Sequence, residues 1–190
     1  MNLAYVHEQV QDIEADCILA TICSNKHPSG RINCIIRKLA GNYYHEQVEE
    51  ALTGRPIFLK NGDACITRYD NEDPPRSLLG PKDVIFVIDD MNLPLRDIVC
   101  NGLTHANDSR MYKSIILPIP RIEIALDEGD KKEIVKEMMR GVKKFRRRRP
   151  YEKPRLHDKR LLNDIMLVEL NGDIEVIQLL KKVAFDFHRR

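Results

Sequence analysis

Two hydrophobic patterns alternate along the chain: short continuous apolar runs, and longer stretches with an apolar residue every three or four positions. The run Cys17-Ile18-Leu19-Ala20-Thr21-Ile22 is too uniformly apolar for a strand with one wet face, so it predicts a central strand covered on both sides. Loop chemistry follows in Ser24-Asn25-Lys26-His27-Pro28-Ser29-Gly30. Ile32, Ile35, Ile36, Leu39 and Ala40 then recur at helical spacing, and Gly41 supplies a stop. A second helix is expected over 44–52, ending near Gly54. Further strands are expected over 64–67, 84–88, 114–117 (terminated by Pro118) and 165–170, with helices over 95–106 and 174–185. The segment 70–81 reads as a loop. Asp130-Lys131-Lys132-Glu133 has the spacing of a capping box. Ile134, Met138, Val142 and Phe145 line one face of the helix that this box would open.

Strands alternating with helices imply an α/β fold: a three-layer α/β/α sandwich around a mixed central sheet, with residues 1–190 forming one domain. Such sheets bind ligands outside the carboxyl ends of their strands. The loops after Ile22 and after Leu117 are therefore the first places to look for function.

Composition narrows the class. At 190 residues, 43% hydrophobic and 32% charged, the chain can bury roughly 70% of its unfolded surface and needs no disulfide or metal staple. The five cysteines are odd in number and none has CxxC spacing. Cys17, Cys34 and Cys65 lie in apolar runs, which predicts buried, reduced thiols and a cytoplasmic setting. Met1-Asn2-Leu3-Ala4-Tyr5 has neither the basic start nor the apolar core of a signal peptide. No apolar run approaches the ~20 residues of a membrane helix, so no membrane partner is expected. The six histidines are dispersed, with no HExxH or His/Cys cluster, so no metal or cofactor is expected. Cys23 and His27 have a spacing that is common by chance. Asp89-Asp90 ends a strand and so could border the cleft, with solvated loop acids as the default reading.

The net charge of +2 conceals an asymmetry. Residues 143–160 hold ten Lys/Arg against two acids, a net of +8, leaving −6 for the rest. This basic connector precedes the last strand and helix. Its cations Lys143, Lys144, Arg146, Arg147, Arg148 and Arg149 make nucleic acid an alternative partner. The plainer reading is a solvated helix end whose cations complement the helix dipole.

At the strand-end loops the sequence resembles the macro domain, the ADP-ribose-binding fold. Asp16-Cys17-Ile18-Leu19 is similar to the family's D-A-I-V strand. Ser29-Gly30-Arg31-Ile32 with Leu39-Ala40-Gly41 is similar to its G-G-G-V loop and following helix. Gly62-Asp63-Ala64-Cys65-Ile66-Thr67 matches G-x-A-x-x-T, Val84-Ile85-Phe86-Val87 stands where the family has V-I-H, and Ser114-Ile115-Ile116-Leu117-Pro118-Ile119 matches S-I-A-F-P-x-I.

The resemblance implies a site for ADP-ribose or a related nucleotide. Asp12 and Ile13 would contact the base. Cys23 would line the ribose side. Ser29, Gly30 and Arg31 would face phosphate, Ile32 would follow them in the ligand-binding loop, and Ile119, Pro120 and Arg121 would form the second loop, with Arg121 supplying charge. The departures fall on the functional positions. The family's N-A-A-N, whose last Asn contacts the ribose and aids hydrolysis, is Ala20-Thr21-Ile22-Cys23 here. Its second glycine cradle is Pro120-Arg121-Ile122-Glu123-Ile124, where Pro120 also removes a backbone donor. The expectation is a divergent macro-like module that binds a nucleotide without efficient hydrolysis. The alternative is a hydrolase of ADP-ribosyl linkages or phosphate esters with a rearranged site, so the sequence leaves enzymatic activity open.

Overall fold

A computed structural model describes residues 1–25, 30–53, 59–69, 78–79, 82–148 and 161–189. The chain order is β1 (Asn2–Tyr5), β2 (Cys17–Ile22), α1 (Arg31–Ala40), α2 (Tyr43–Thr53), β3 (Ala64–Thr67), β4 (Asp83–Ile88), α3 (Leu95–Ser109), β5 (Ser114–Pro118), a 3-10 turn (Ile122–Ile124), α4 (Glu128–Arg148), β6 (Asp164–Val168) and α5 (Ile174–His188). The expected loop at 70–81 and the basic residues 149–160 lie almost wholly or wholly outside the described residues.

The six strands form one mixed sheet in the order β1-β6-β5-β2-β4-β3. Only β3 runs antiparallel to its neighbour. Every residue of β2 is buried, as its continuous apolar run requires of a strand covered on both faces. Helices α1 and α2 cover one face, with Ile18, Ala20, Phe86 and Ile116 beneath them. Helices α3, α4 and α5 cover the other, over Leu19, Val87, Leu117 and Leu167. This is the expected three-layer sandwich. The edge strand β1 was not assigned from sequence. Its four residues carry only one buried side chain, Leu3, too little for a periodic signal.

Three local expectations need correction. Helix α4 starts earlier than the supposed capping box. Asp127 Oδ1 accepts from the Asp130 N–H at 2.9 Å, and Asp130 Oδ2 accepts from the Leu126 N–H at 3.0 Å. The reciprocal cap is thus Asp127-x-x-Asp130, and Glu133 instead pairs with Lys136 and Arg140. Second, Cys34 is exposed and Cys65 only half-buried. On α1 the buried positions are 32, 33, 36 and 40, and position 34 falls on the outer face. Cys17 and Cys100 are the buried thiols, and burial pushes the Cys17 thiol well up, away from reactivity. Third, Asp89 is not a solvated acid: it is 5% exposed.

Helix α3 is pressed between the sheet and α4. A Cβ on Gly102 would stand 2.5 Å from Leu19 Cδ1. One on Gly141 would stand 2.7 Å from the Arg96 carbonyl oxygen and 2.9 Å from Val99 Cβ. At Gly102 the obstacles are side chains, Leu19 and Val87 (Cγ2 at 2.8 Å), whereas at Gly141 the nearest is backbone. Gly141→Ala should therefore destabilise the protein by about 1–3 kcal/mol through overpacking, although helix propensity alone favours Ala by about 1 kcal/mol. Urea unfolding of the variant checks the sign: a stabilised variant would mean α4 can move off α3 freely.

Candidate functional site

The crevice arises from strand pairing. Strands β2 and β4 pair over six residues and β5 and β6 over five. Strands β2 and β5 pair only at Cys17↔Ile115 and Ile18↔Ile116. Beyond Ile18 they part toward their carboxyl ends. The chain leaves β2 through helices on one face of the sheet and leaves β5 through α4 on the other, so this gap is the topological switch point of the sheet.

A cavity of about 120 Å³ lies in the gap. Leu19, Ala20 and Thr21 of β2, Pro118 of β5 and Ile119 just after it form its floor. Cys23, Gly30 and Ile32 line the α1 side, and Asp89 and Met91 after β4 form part of the wall. The second loop adds Pro120, Arg121, Glu123 and Ile124, and Leu170 completes the lining. A neighbouring depression of about 440 Å³, between the starts of α3 and α4, shares Arg121 and Ile124.

Two ionic arrangements organise the walls. Arg121 donates from Nε to Asp89 Oδ2 at 2.9 Å and from Nη2 to Asp89 Oδ1 at 2.6 Å, and also from Nη2 to the Leu93 carbonyl at 2.9 Å. Asp89 Oδ1 also accepts the Met91 N–H at 3.1 Å. The pair is deeply set, with the Asp89 side chain 4% exposed and that of Arg121 15%. Arg121 adopts left-handed backbone angles, φ 63° and ψ 7°. The chain thus puts an arginine where glycine would meet no steric penalty.

The second arrangement caps α1. This helix has no acid in its first turn and no side-chain cap from its N-cap residue, Gly30. The cap comes from across the crevice. Glu123 Oε1 accepts the Arg31 N–H at 2.8 Å, and both Glu123 oxygens lie 3.6 Å from where a Gly30 Cβ would be. Gly30 has φ 83°, so no side chain stands between the helix start and this carboxylate.

Behind β2 lies a buried polar relay. Asn33 Nδ2 donates to the Thr21 carbonyl at 2.8 Å, and His45 Nε2 lies 3.0 Å from Asn33 Oδ1. With the Asn33 amide nitrogen committed as donor, its oxygen must accept, so His45 carries its proton on Nε2. His45 Nδ1 is buried with no hydrogen-bond partner among the described residues. Burial, with a smaller contribution from Arg37, lowers the His45 pKa to about 4.

The expected residues divide clearly. Cys23, Gly30, Ile32, Ile119, Pro120 and Arg121 meet in the crevice. Arg31 contributes its backbone N–H, while its side chain is exposed. Ser29 and His27 lie outside the described residues. Asp12 and Ile13 lie elsewhere: they line a depression with Asp16, Lys82 and Ser114, at the strand-start edge of the sheet opposite the crevice. Ile13 is buried in the core. Met91, Glu123, Ile124 and Leu170 are crevice residues that the sequence did not nominate, while Asp89 borders the crevice as its strand-end position allowed. For Asp89, its position ending an apolar run was the available signal. The basic stretch is partly engaged: Lys144 pairs with Asp97, Arg146 lies over the Phe187 ring, and Phe145 is buried. Arg149 lies outside the described residues. Among the described residues no group of three or more His, Cys, Asp or Glu is placed to hold a metal, and no helix is long and apolar enough to cross a membrane.

No protein-family model and no curated protein sequence matches the chain. Solved structures do match. The macrodomain of Oceanobacillus iheyensis with ADP aligns at TM-score 0.68 and 13% identity, covering 99% of this chain and 93% of that one. The Trypanosoma brucei macrodomain in complex with ADP aligns at TM-score 0.65 and 14% identity, over 95% of this chain and 68% of that one. The macrodomain of Mycobacterium tuberculosis DarG aligns at TM-score 0.55 and 9% identity, over 87% of this chain and 96% of that one.

Proposed function

We propose that this chain, which has the macrodomain fold, binds ADP-ribose or a related nucleotide in the crevice between β2 and β5, without efficient hydrolysis. One observation carries the reading. The start of α1 faces the crevice and already holds an anionic group, the Glu123 carboxylate, on the Arg31 N–H. A helix N-terminus that offers a backbone N–H beside a glycine suits a phosphate oxygen for the same reasons. Two of the structures with this fold were solved with ADP, which supports a nucleotide as the occupant.

The residues point away from turnover. Ala20 and Cys23 stand where the resemblance implies amides. The acids lining the described crevice are committed, Asp89 to Arg121 and Glu123 to the start of α1. Neither is placed as a free general base.

Calorimetric titration with ADP-ribose at low and moderate salt tests the reading. We expect 1:1 binding in the micromolar range, about −8 kcal/mol, with release of ADP-ribose from modified substrates at background rate. Absence of heat from demonstrably folded protein would remove the nucleotide from the crevice. Multiple turnovers would replace the binding module with the hydrolase.

A further inference from the structure

We propose that Glu123 is a specificity-determining residue of the crevice: its carboxylate holds the anion position at the start of α1, so a ligand phosphate reaches that position only by displacing it. The reading rests on the crevice being a nucleotide site for the identity of the ligand. The role of Glu123 itself can be tested without a nucleotide.

The geometry is that of an internal competitor. Glu123 reaches Arg31 from 92 positions along the chain, and α1 has no acid of its own in its first turn. Its two oxygens sit directly in front of Gly30, where the positive φ and missing side chain leave the backbone open. A carboxylate on a backbone N–H makes a charge-assisted hydrogen bond, the same interaction a phosphate oxygen would make. Only one anion can have it.

Position gives the same answer. Glu123 is among the walls of the cavity of about 120 Å³, which shares Arg121 and Ile124 with the neighbouring depression of about 440 Å³. The side chain can leave without unravelling the loop. Glu123 and Ile124 are exposed, while Arg121, two residues before, is pinned by Asp89. The Arg121 anchor therefore fixes the loop and leaves Glu123 as the movable part.

The consequence is discrimination by charge at one point. A sugar hydroxyl placed there can donate to the carboxylate and leave it seated. A phosphate must push it out and still suffers its negative charge nearby, since like charges in a partly desolvated site repel. A ligand phosphate is therefore admitted at this position only with Glu123 displaced, whereas an uncharged ribosyl hydroxyl is admitted with Glu123 in place.

Inorganic pyrophosphate is the probe, read at the backbone amide resonance of Arg31 by NMR in the wild-type chain, Glu123→Gln and Glu123→Ala. Gln keeps the shape and removes the charge, and Ala removes both. Both variants should bind pyrophosphate roughly tenfold tighter than wild type, the worth of about one charge-assisted hydrogen bond, with the gain shrinking as salt rises. Equal affinity at that amide in all three proteins, or no binding in any, would overturn the assignment. Titration of the same three proteins with ADP-ribose separates the two readings. If the variants take pyrophosphate and refuse ADP-ribose, Glu123 keeps its role and the nucleotide reading falls. If all three bind ADP-ribose equally while only the variants gain affinity for pyrophosphate, both readings stand, and ADP-ribose meets this position with a ribosyl hydroxyl.

Discussion

Arg121→Ala should lower the unfolding free energy by about 3–5 kcal/mol, the usual cost of breaking a buried ion pair by removing one partner. The effect comes from what stays behind. Asp89 has a side chain only 4% exposed and would lose both guanidinium bonds, keeping, among the described residues, the Met91 N–H. A buried carboxylate with a single donor is an uncompensated charge. At roughly 2–4 °C per kcal/mol for a chain of this size, the melting temperature should drop by about 10 °C. Adding Asp89→Asn should recover a good part of that loss, because the charge requiring compensation is gone. Thermal and urea unfolding of the two single variants and the double variant checks this. A loss under 1 kcal/mol for Arg121→Ala, or no recovery in the double variant, would mean that water reaches Asp89 and the pair is effectively exposed.

Acid should unfold the protein partly through His45. The sign follows from its folded pKa of about 4, below the 6.5 of a free imidazole. Between those values the unfolded chain binds a proton that the folded chain refuses, so stability rises with pH across this window. The contribution of His45 is complete above pH 6.5 and falls away as pH drops toward 4. Its size is about 3 kcal/mol at 1.36 kcal/mol per unit. The structural cause is specific. Nε2–H is committed to Asn33, Nδ1 has no partner among the described residues to receive a new N–H, and Phe86 packs against the ring. Many carboxylates titrate in the same range, so the useful measurement is a difference. The urea-derived stability of wild type should fall more steeply between pH 6.5 and 4.5 than that of His45→Gln, by close to one proton. Parallel pH profiles would show that His45 is protonated in the fold without penalty.

The elements readable from sequence were those whose signal is local and strong. The six residues of β2 are buried along their whole length, and a run of that kind has no other stable arrangement in a soluble sheet. Helix α1 declared itself through its periodicity and Gly41, and α5 through its apolar repeat. Strand β1 was missed because one buried leucine in four residues is no pattern. The start of α4 was misplaced because Asp127-x-x-Asp130 and Asp130-x-x-Glu133 both have cap-like spacing. What decides between them is which carboxylate meets the free N–H groups. The crevice was half legible. Cys23, Gly30 and Arg121 follow from the rule that ligands bind at strand ends. Asp89 could be placed at the cleft by its strand-end position, but its pairing, like that of Glu123, was not legible because the two pairings span 32 and 92 positions. A lone acid in a loop gives no hint of such a partner. Asp12 and Ile13 were drawn to the site by the resemblance, but the chain passes back to the strand-start edge before they occur.

The left-handed backbone at Arg121 also bears on how such a loop can change over evolutionary time. Glycine at 121 would relieve a conformation that costs other residues about 1–3 kcal/mol, yet alone it would strand the Asp89 charge. Neutralising Asp89 first would leave the arginine strained and without its carboxylate. Each single step lowers fitness through stability, and only the pair of changes leads to a glycine-bearing loop. Among descendants of this sequence, positions 89 and 121 should therefore vary together, as acid with arginine or neutral residue with glycine, and mixed combinations should be rare.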